Sequence, residues 1–166
     1  MDVWGIDPGL ETTGYAVVHA DGDRLTILDA GVCRTDPSFD LAKRLAQIEA
    51  DFSALLDQWP AEVVAVEQLY AHYRHPRTAV LMGHARGVII AVAARAGIEV
   101  RDYSATQVKR FLTGNGRAGK SQMQQAVMQA YGLNSIPEPN DVADALAIAL
   151  CCLHAMPSER KEATRA

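Results

Sequence analysis

Residues Glu62 to Glu67, Glu-Val-Val-Ala-Val-Glu, restrict the architecture more than any other stretch of the chain. Four consecutive apolar residues, three of them β-branched, read as a strand. A strand with one wet face alternates apolar and polar side chains. This one does not, so both of its faces are covered, as in a parallel strand sandwiched between helices. A second stretch is also apolar and also ends in an acid. Val3-Trp4-Gly5-Ile6-Asp7-Pro8-Gly9 is an apolar run that stops at Pro8-Gly9, because Pro cannot continue a central ladder and Gly accepts a sharp turn. Both strands close on a carboxylate, Asp7 in one case and Glu67 in the other.

The remaining elements follow from local pattern. Thr13 to Ala20 reads as a second strand, Asp21-Gly22-Asp23 as a turn, and Arg24 to Thr35 as a third strand, so the first three form an antiparallel meander. Leu41, Leu45, Ile48, Phe52, Leu55 and Leu56 have helical spacing between Asp40 and Gln58, and Pro60 ends the run. Tyr70 to Arg77 is a loop of aromatic and basic residues. Thr78 to Ala96 is a long helix with little polar surface, on which Gly83 and Gly87 share a face. That face suits either core packing or a dimer interface. Ile98 to Tyr103 is a fifth strand. Ser104 caps a helix to about Leu112, a helix runs from about Lys120 to Tyr131, and a last one from Asp141 to about His154. The order predicts an α/β layered domain with a five-stranded mixed sheet, three strands antiparallel and two parallel, and helices on both faces. Residues 1–156 form one domain in this reading, and 157–166 a polar, disordered tail.

The net charge of −4 argues against a polyanion as partner until its distribution is considered. Residues 70–120 hold nine Lys and Arg against Glu99 and Asp102, leaving the rest of the chain strongly acidic. A basic surface beside acidic ones suits nucleic acid, although solvated helix faces would give the same count. Cys33, Cys151 and Cys152 lack C-x-x-C spacing and read as packing residues of a reduced, cytoplasmic protein. No leader pattern opens the chain, and the most apolar run, Gly87 to Ala94, is too short to cross a bilayer, so no membrane association is expected.

Asp141 and Asp144 are spaced i, i+3 and share a face of the last helix. Taken alone they are well explained as first-turn acids favoured by the helix dipole. Taken with Asp7 and Glu67 they suggest more. Converging carboxylates raise one another's pKa unless a cation neutralises them. Oxygen donors suit Mg²⁺, and two such ions about 4 Å apart serve in-line phosphoryl displacement. His72 and His75 have no partners at zinc spacing. Gly114 to Ser121 literally matches G-x-x-x-x-G-K-[ST], yet a phosphate-binding loop of that type needs a buried strand before it, and Ser104 to Leu112 reads as helix. No nucleotide cofactor is expected. The loop's backbone N–H groups, Arg117 and Lys120 suit a nucleic-acid phosphate instead.

Gly5-Ile6-Asp7-Pro8-Gly9 with Thr13-Gly14-Tyr15, Val66-Glu67-Gln68, Gly83-His84-Ala85-Arg86-Gly87, Gln107-Val108-Lys109, Gly119-Lys120-Ser121-Gln122 and Asp141 to Ala149 together resemble the RuvC family of Holliday junction resolvases, across nearly the whole chain. The resemblance implies a ribonuclease H-like fold, a homodimer, and Mg²⁺- or Mn²⁺-dependent cutting of four-way junction DNA by symmetric nicks in recombination and repair. It implies two metal ions per site, held by the catalytic acids Asp7, Glu67, Asp141 and Asp144, and the RuvA–RuvB branch-migration complex as partner. Some members carry His where this chain has Asp141. Lys109 and Lys120 fall on the family's functional basic positions. Tyr70 falls on an aromatic at the junction centre, where Phe is also found. Arg74, Arg77 and Arg117 are further candidates for DNA contact. Three other readings compete: a junction-binding scaffold that does not cut, an actin-like phosphotransferase suggested by Asp7-Pro8-Gly9 with Thr12-Thr13, and a related nuclease acting on other branched or RNA substrates.

Overall fold

The computed structural model describes residues 1–69 and 76–163, with Pro76 and 157–163 described by backbone alone. Five strands, β1 (Asp2–Asp7), β2 (Thr12–Asp21), β3 (Arg24–Arg34), β4 (Val63–Glu67) and β5 (Glu99–Tyr103), form one sheet in the order β3-β2-β1-β4-β5. β1, β2 and β3 pair antiparallel, and β4 and β5 extend the sheet in parallel, giving the mixed sheet of the ribonuclease H-like α/β fold.

The helices divide between the two faces. α1 (Leu41–Gln58) and α2 (Pro76–Arg95) cover one; α3 (Ala105–Thr113), α4 (Lys120–Ala130) and α5 (Asn140–Ala163) cover the other. The two central strands explain why. In β1, Trp4 and Ile6 point to α1 and α2, while Val3 and Gly5 point to α5; in β4, Val64 and Val66 take the first side and Val63 and Ala65 the second. Two apolar clusters result, one per face, and all of these residues are essentially inaccessible to water.

Local signals set the element ends. Asp40 caps α1 by accepting from the Lys43 N–H at 2.8 Å. Ser104 and Gln107 form a capping box at α3, and Gly114 ends it in the left-handed region at φ 73°. Three points differ from expectation. α2 begins at Pro76, so Arg77 lies on a helix rather than in a loop; Pro suits the first helical position, where its missing N–H costs nothing. α5 continues to Ala163, past His154, where Glu, Arg, Lys and Ala residues favour helix. The 19 residues Arg77–Arg95 are long and apolar enough, by those two measures alone, to cross a membrane, contrary to expectation. In this fold Ala85, Ile89, Val92 and Ala93 of that helix are buried against the sheet and α1.

Candidate active site

Period-two alternation carries Asp7 and Glu67 to the α5 side of the sheet, in step with Val3 and Gly5, and with Val63 and Ala65. Parallel pairing sets Ile6 opposite Val66, so the next residues, Asp7 and Glu67, end adjacent strands side by side. The turn after Asp7 is tied down by Thr13, whose hydroxyl is buried. It donates to the Gly9 carbonyl at 2.7 Å and accepts from the Gly9 N–H at 3.3 Å.

α5 brings the second pair of acids. At Gly5 and Gly14 it lies against β1 and β2 with no side chain between the backbones. A Cβ on Gly5 would stand 2.0 Å from the Ala145 carbonyl oxygen, and one on Gly14 would stand 2.2 Å from that of Asp141. Gly14 is the register partner of Asp7. The start of α5 is therefore pressed against the strand end that carries Asp7. Val142, Ala143, Ala145 and Leu146 are buried, and Asp141 and Asp144 are left at the rim.

The electrostatics record the crowding. Asp7 is pushed up to about 8, first by burial and then by the charges of Glu67, Asp144 and Asp141. Burial and the Asp144 charge raise Glu67, while hydrogen bonding to Asp7 and the Lys109 charge lower it. Asp144 is raised by desolvation and by Asp141, and lowered by Lys120 and Lys109. Its residue surface is exposed even so, which makes the desolvation partial. The two lysines come from α3 and from the first residue of α4. With Glu67, Asp144 and the apolar wall of Val108, Met123, Ala147 and Ile148 they line a cleft of about 300 Å³.

Among the described residues, no three His, Cys, Asp or Glu side chains are drawn together tightly enough to close on an ion as they stand. Asp7 and Glu67 end adjacent strands side by side, and Asp144 and Asp141 act on Asp7 through space. The donor set still fits a hard divalent cation. It is all carboxylate oxygen, and a positive charge placed there would relieve the repulsion that holds Asp7 up.

The structure thus gathers Asp7, Glu67, Asp141, Asp144, Lys109 and Lys120. Arg117 is exposed on the loop between α3 and α4, with its N–H bonded to Asn115 Oδ1 at 2.9 Å; Arg77 is exposed on the first turn of α2. Tyr70, Arg74, His72 and His75 lie outside the described residues. The Gly114 to Ser121 loop follows helix α3, not a strand, as the rejection of nucleotide binding required. Two contributors were not singled out from sequence as parts of the site: the Thr13 hydroxyl and Gly14. Their signal was a polar residue and a glycine inside a strand pattern, and an interior strand glycine often marks a close backbone approach.

Known proteins resemble this chain over nearly all of its length. Residues 3–152 match the family described as crossover junction endodeoxyribonuclease RuvC. A protein of that description from Rhodopirellula baltica is 52% identical over 149 residues, covering 90% of this chain and 84% of its own; one from Heliobacterium modesticaldum is 44% identical over 156 residues, covering 94% and 96%. The structure of Thermus thermophilus RuvC in complex with Holliday junction substrate superposes with a TM-score of 0.88 at 35% identity, covering 95% of this chain and 96% of that one. With so much of each chain aligned, and both strand-end acids and the acidic face of α5 inside the matched region, the chain belongs to the RuvC family.

Proposed function

We propose that this protein is a Mg²⁺-dependent crossover junction endodeoxyribonuclease, which resolves four-way DNA junctions by paired symmetric nicks during recombination and repair in the cytoplasm. The observation that carries the reading is the parallel pairing of β1 with β4, which ends both strands side by side at Asp7 and Glu67, where Asp144 and Asp141 act on Asp7 and where Glu67 and Asp144 share a cleft with Lys109 and Lys120. Relatives named for this activity, and a relative solved on a Holliday junction, support the substrate.

Asp7, Glu67, Asp144 and Asp141 would hold two Mg²⁺ or Mn²⁺ ions. When bound, such ions acidify a water and stabilise the charge that builds on the phosphate. Asp7, deepest and shared between neighbours, is suited to bridging. Asp141 at the rim is suited to holding one ion or orienting the attacking water. Lys120 is suited to the scissile phosphate or its neighbour and Lys109 to a flanking one, since both face the cleft. Arg77 and Arg117 would extend the track for the backbone, with Arg74 in the same role. Tyr70 would stack on an unpaired base at the crossover, worth about 1–3 kcal/mol.

Paired incision needs two sites, and α2 supports a homodimer. Val80, His84, Gly87, Ala91 and Ala94 are exposed and follow 4-3-4-3 spacing, the seam along which two helices pack. Among the described residues outside its own helix backbone, no atom would meet a Cβ on Gly87 within 4 Å. A second copy of the chain fits that seam. The RuvA–RuvB complex is the expected partner on the same DNA.

The test is nicking of a synthetic four-way junction in Mg²⁺, Mn²⁺ or Ca²⁺, compared with linear duplex. Junction-selective cutting in Mg²⁺ or Mn²⁺ that vanishes in Asp7→Asn, while junction binding persists, is the expected result. Cutting of both substrates alike, or Mg²⁺-dependent cutting by Asp7→Asn, would refute the reading. A species of 18 kDa alone on DNA would refute the dimer.

A further inference from the structure

We infer that Arg86 is a positioning residue for Glu67, acting on the backbone of that acid and not on its carboxylate. The inference rests on the reading of Glu67 as a metal-holding acid. β4 ends at Glu67, and on one side its ladder has already run out, since β1 pairs with it only as far as Ile6 opposite Val66. On the other side Glu67 stands opposite Tyr103 of β5, and the next N–H, that of Gln68, donates to the Tyr103 carbonyl at 2.9 Å. The Glu67 carbonyl accepts from Arg86 Nε, reaching across from α2, at 3.1 Å. A terminal nitrogen of the same guanidinium is ion-paired with Asp102 of β5.

One planar group therefore ties the last residue of β4 to the neighbouring strand. Two observations separate this from an ordinary surface ion pair. The Arg86 side chain is only 20% exposed. Its partners sit on two different strands, so the fork of the guanidinium has a defined orientation that a point charge would lack. Arg86 thus touches the peptide of Glu67, and the carboxyl follows the peptide. The chain beyond Glu67 is also near α2, because a Cβ on Gly83 would meet Leu69 Cδ1 at 3.7 Å.

The experiment compares Arg86→Gln, Arg86→Lys and Glu67→Gln with the native protein. Mn²⁺ binding is followed by electron paramagnetic resonance without DNA, and junction nicking is titrated with Mg²⁺. Groups that orient metal-holding side chains alter metal affinity by roughly 10–100-fold when removed. For R86Q the expected result is Mn²⁺ binding weakened by about tenfold and a matching rise in the Mg²⁺ needed for half-maximal nicking. Junction affinity in Ca²⁺ stays unchanged. R86K, which keeps a donor but not the fork, falls between R86Q and native. Native Mn²⁺ affinity and a native Mg²⁺ titration in folded R86Q would overturn the proposal. If thermal melting shows that R86Q does not fold, R86K decides by the same two readings. Glu67→Gln guards the premise: if it nicks and binds Mn²⁺ as the native protein does, the site reading fails, whatever Arg86 does.

Discussion

The two long apolar helices, α2 and α5, have similar compositions and opposite fates. Both run through Ala, Val, Leu and Ile with small residues interspersed, and neither shows a strong polar face. α5 is swallowed by its own sheet. Gly5 and Gly14 remove the side chains that would hold it off, and nearly every residue from Val142 to Leu153 is buried. α2 gives the sheet and α1 one face through Ala85, Ile89, Val92 and Ala93, and leaves the opposite face open, with Val80 59% exposed. The difference teaches that an apolar helix is not by itself a core helix. What decides is whether the facing strands carry small residues at the points of closest approach. β1 and β2 do so for α5, and as a consequence α5 delivers its acids to Asp7.

The contrast breaks first on chemistry. Asp144 on α5 is expected to be indispensable. Asp144→Asn should slow junction nicking by about 10³-fold, equivalent to several kcal/mol of lost transition-state stabilisation, with binding in Ca²⁺ intact. A loss under tenfold would remove Asp144 from the reacting assembly.

The packing difference comes next. Gly14→Val places a side chain where the Asp141 carbonyl stands and should destabilise the fold by about 1–3 kcal/mol, as overpacking does. It should also cut nicking more steeply than stability explains, because the acids on α5 shift away from Asp7. Denaturant melts and single-turnover rates on the same preparation would check both, and native values for the pair would contradict the close approach.

The α5 acids also predict a pH signature. The Asp7 carboxyl has its ordinary value of 3.8 when unfolded and about 8 when folded without metal. Between those values the unfolded chain loses its proton first, so the folded state loses stability as pH rises from about 4 to about 8, and nothing further is lost above that. Glu67 and Asp144, also raised, act in the same direction. Melting in a chelator should fall by a few degrees across this window, and Mg²⁺ should restore most at its upper end. Parallel melting curves with and without Mg²⁺ would contradict the crowded site.

The smallest effect lies on α2. Gly87→Ala meets no atom of the described residues outside its own helix backbone within 4 Å, so it should raise protomer stability by about 0.5–1 kcal/mol through helix propensity. On a seam shared with a second copy it should weaken self-association in sedimentation. A gain in stability with unchanged association would move the dimer contact elsewhere.

Local chemistry in the chain was enough for much of this. The doubly buried strand β4, the stop at Pro8-Gly9, the Asp40 and Ser104 caps and the α3–loop–α4 order need only neighbours in sequence, so they were readable. The same holds for the assignment of Asp7 and Glu67 to strand ends. Asp141 and Asp144 were ambiguous, because first-turn acids satisfy a helix dipole whether or not anything lies opposite. Arg86 read as one residue of a longer motif, because its partners Glu67 and Asp102 come from two other elements.

The amino-acid sequence alone determined which segments become strands and helices, and which carboxylates end them, since these depend on interactions a few residues long. Only the tertiary structure decided that Asp7, Glu67, Asp141 and Asp144 act on one another, and which of the two apolar helices is enclosed. Both outcomes depend on register and on backbone-to-backbone approach at Gly5 and Gly14, and such contacts arise between segments far apart in the chain.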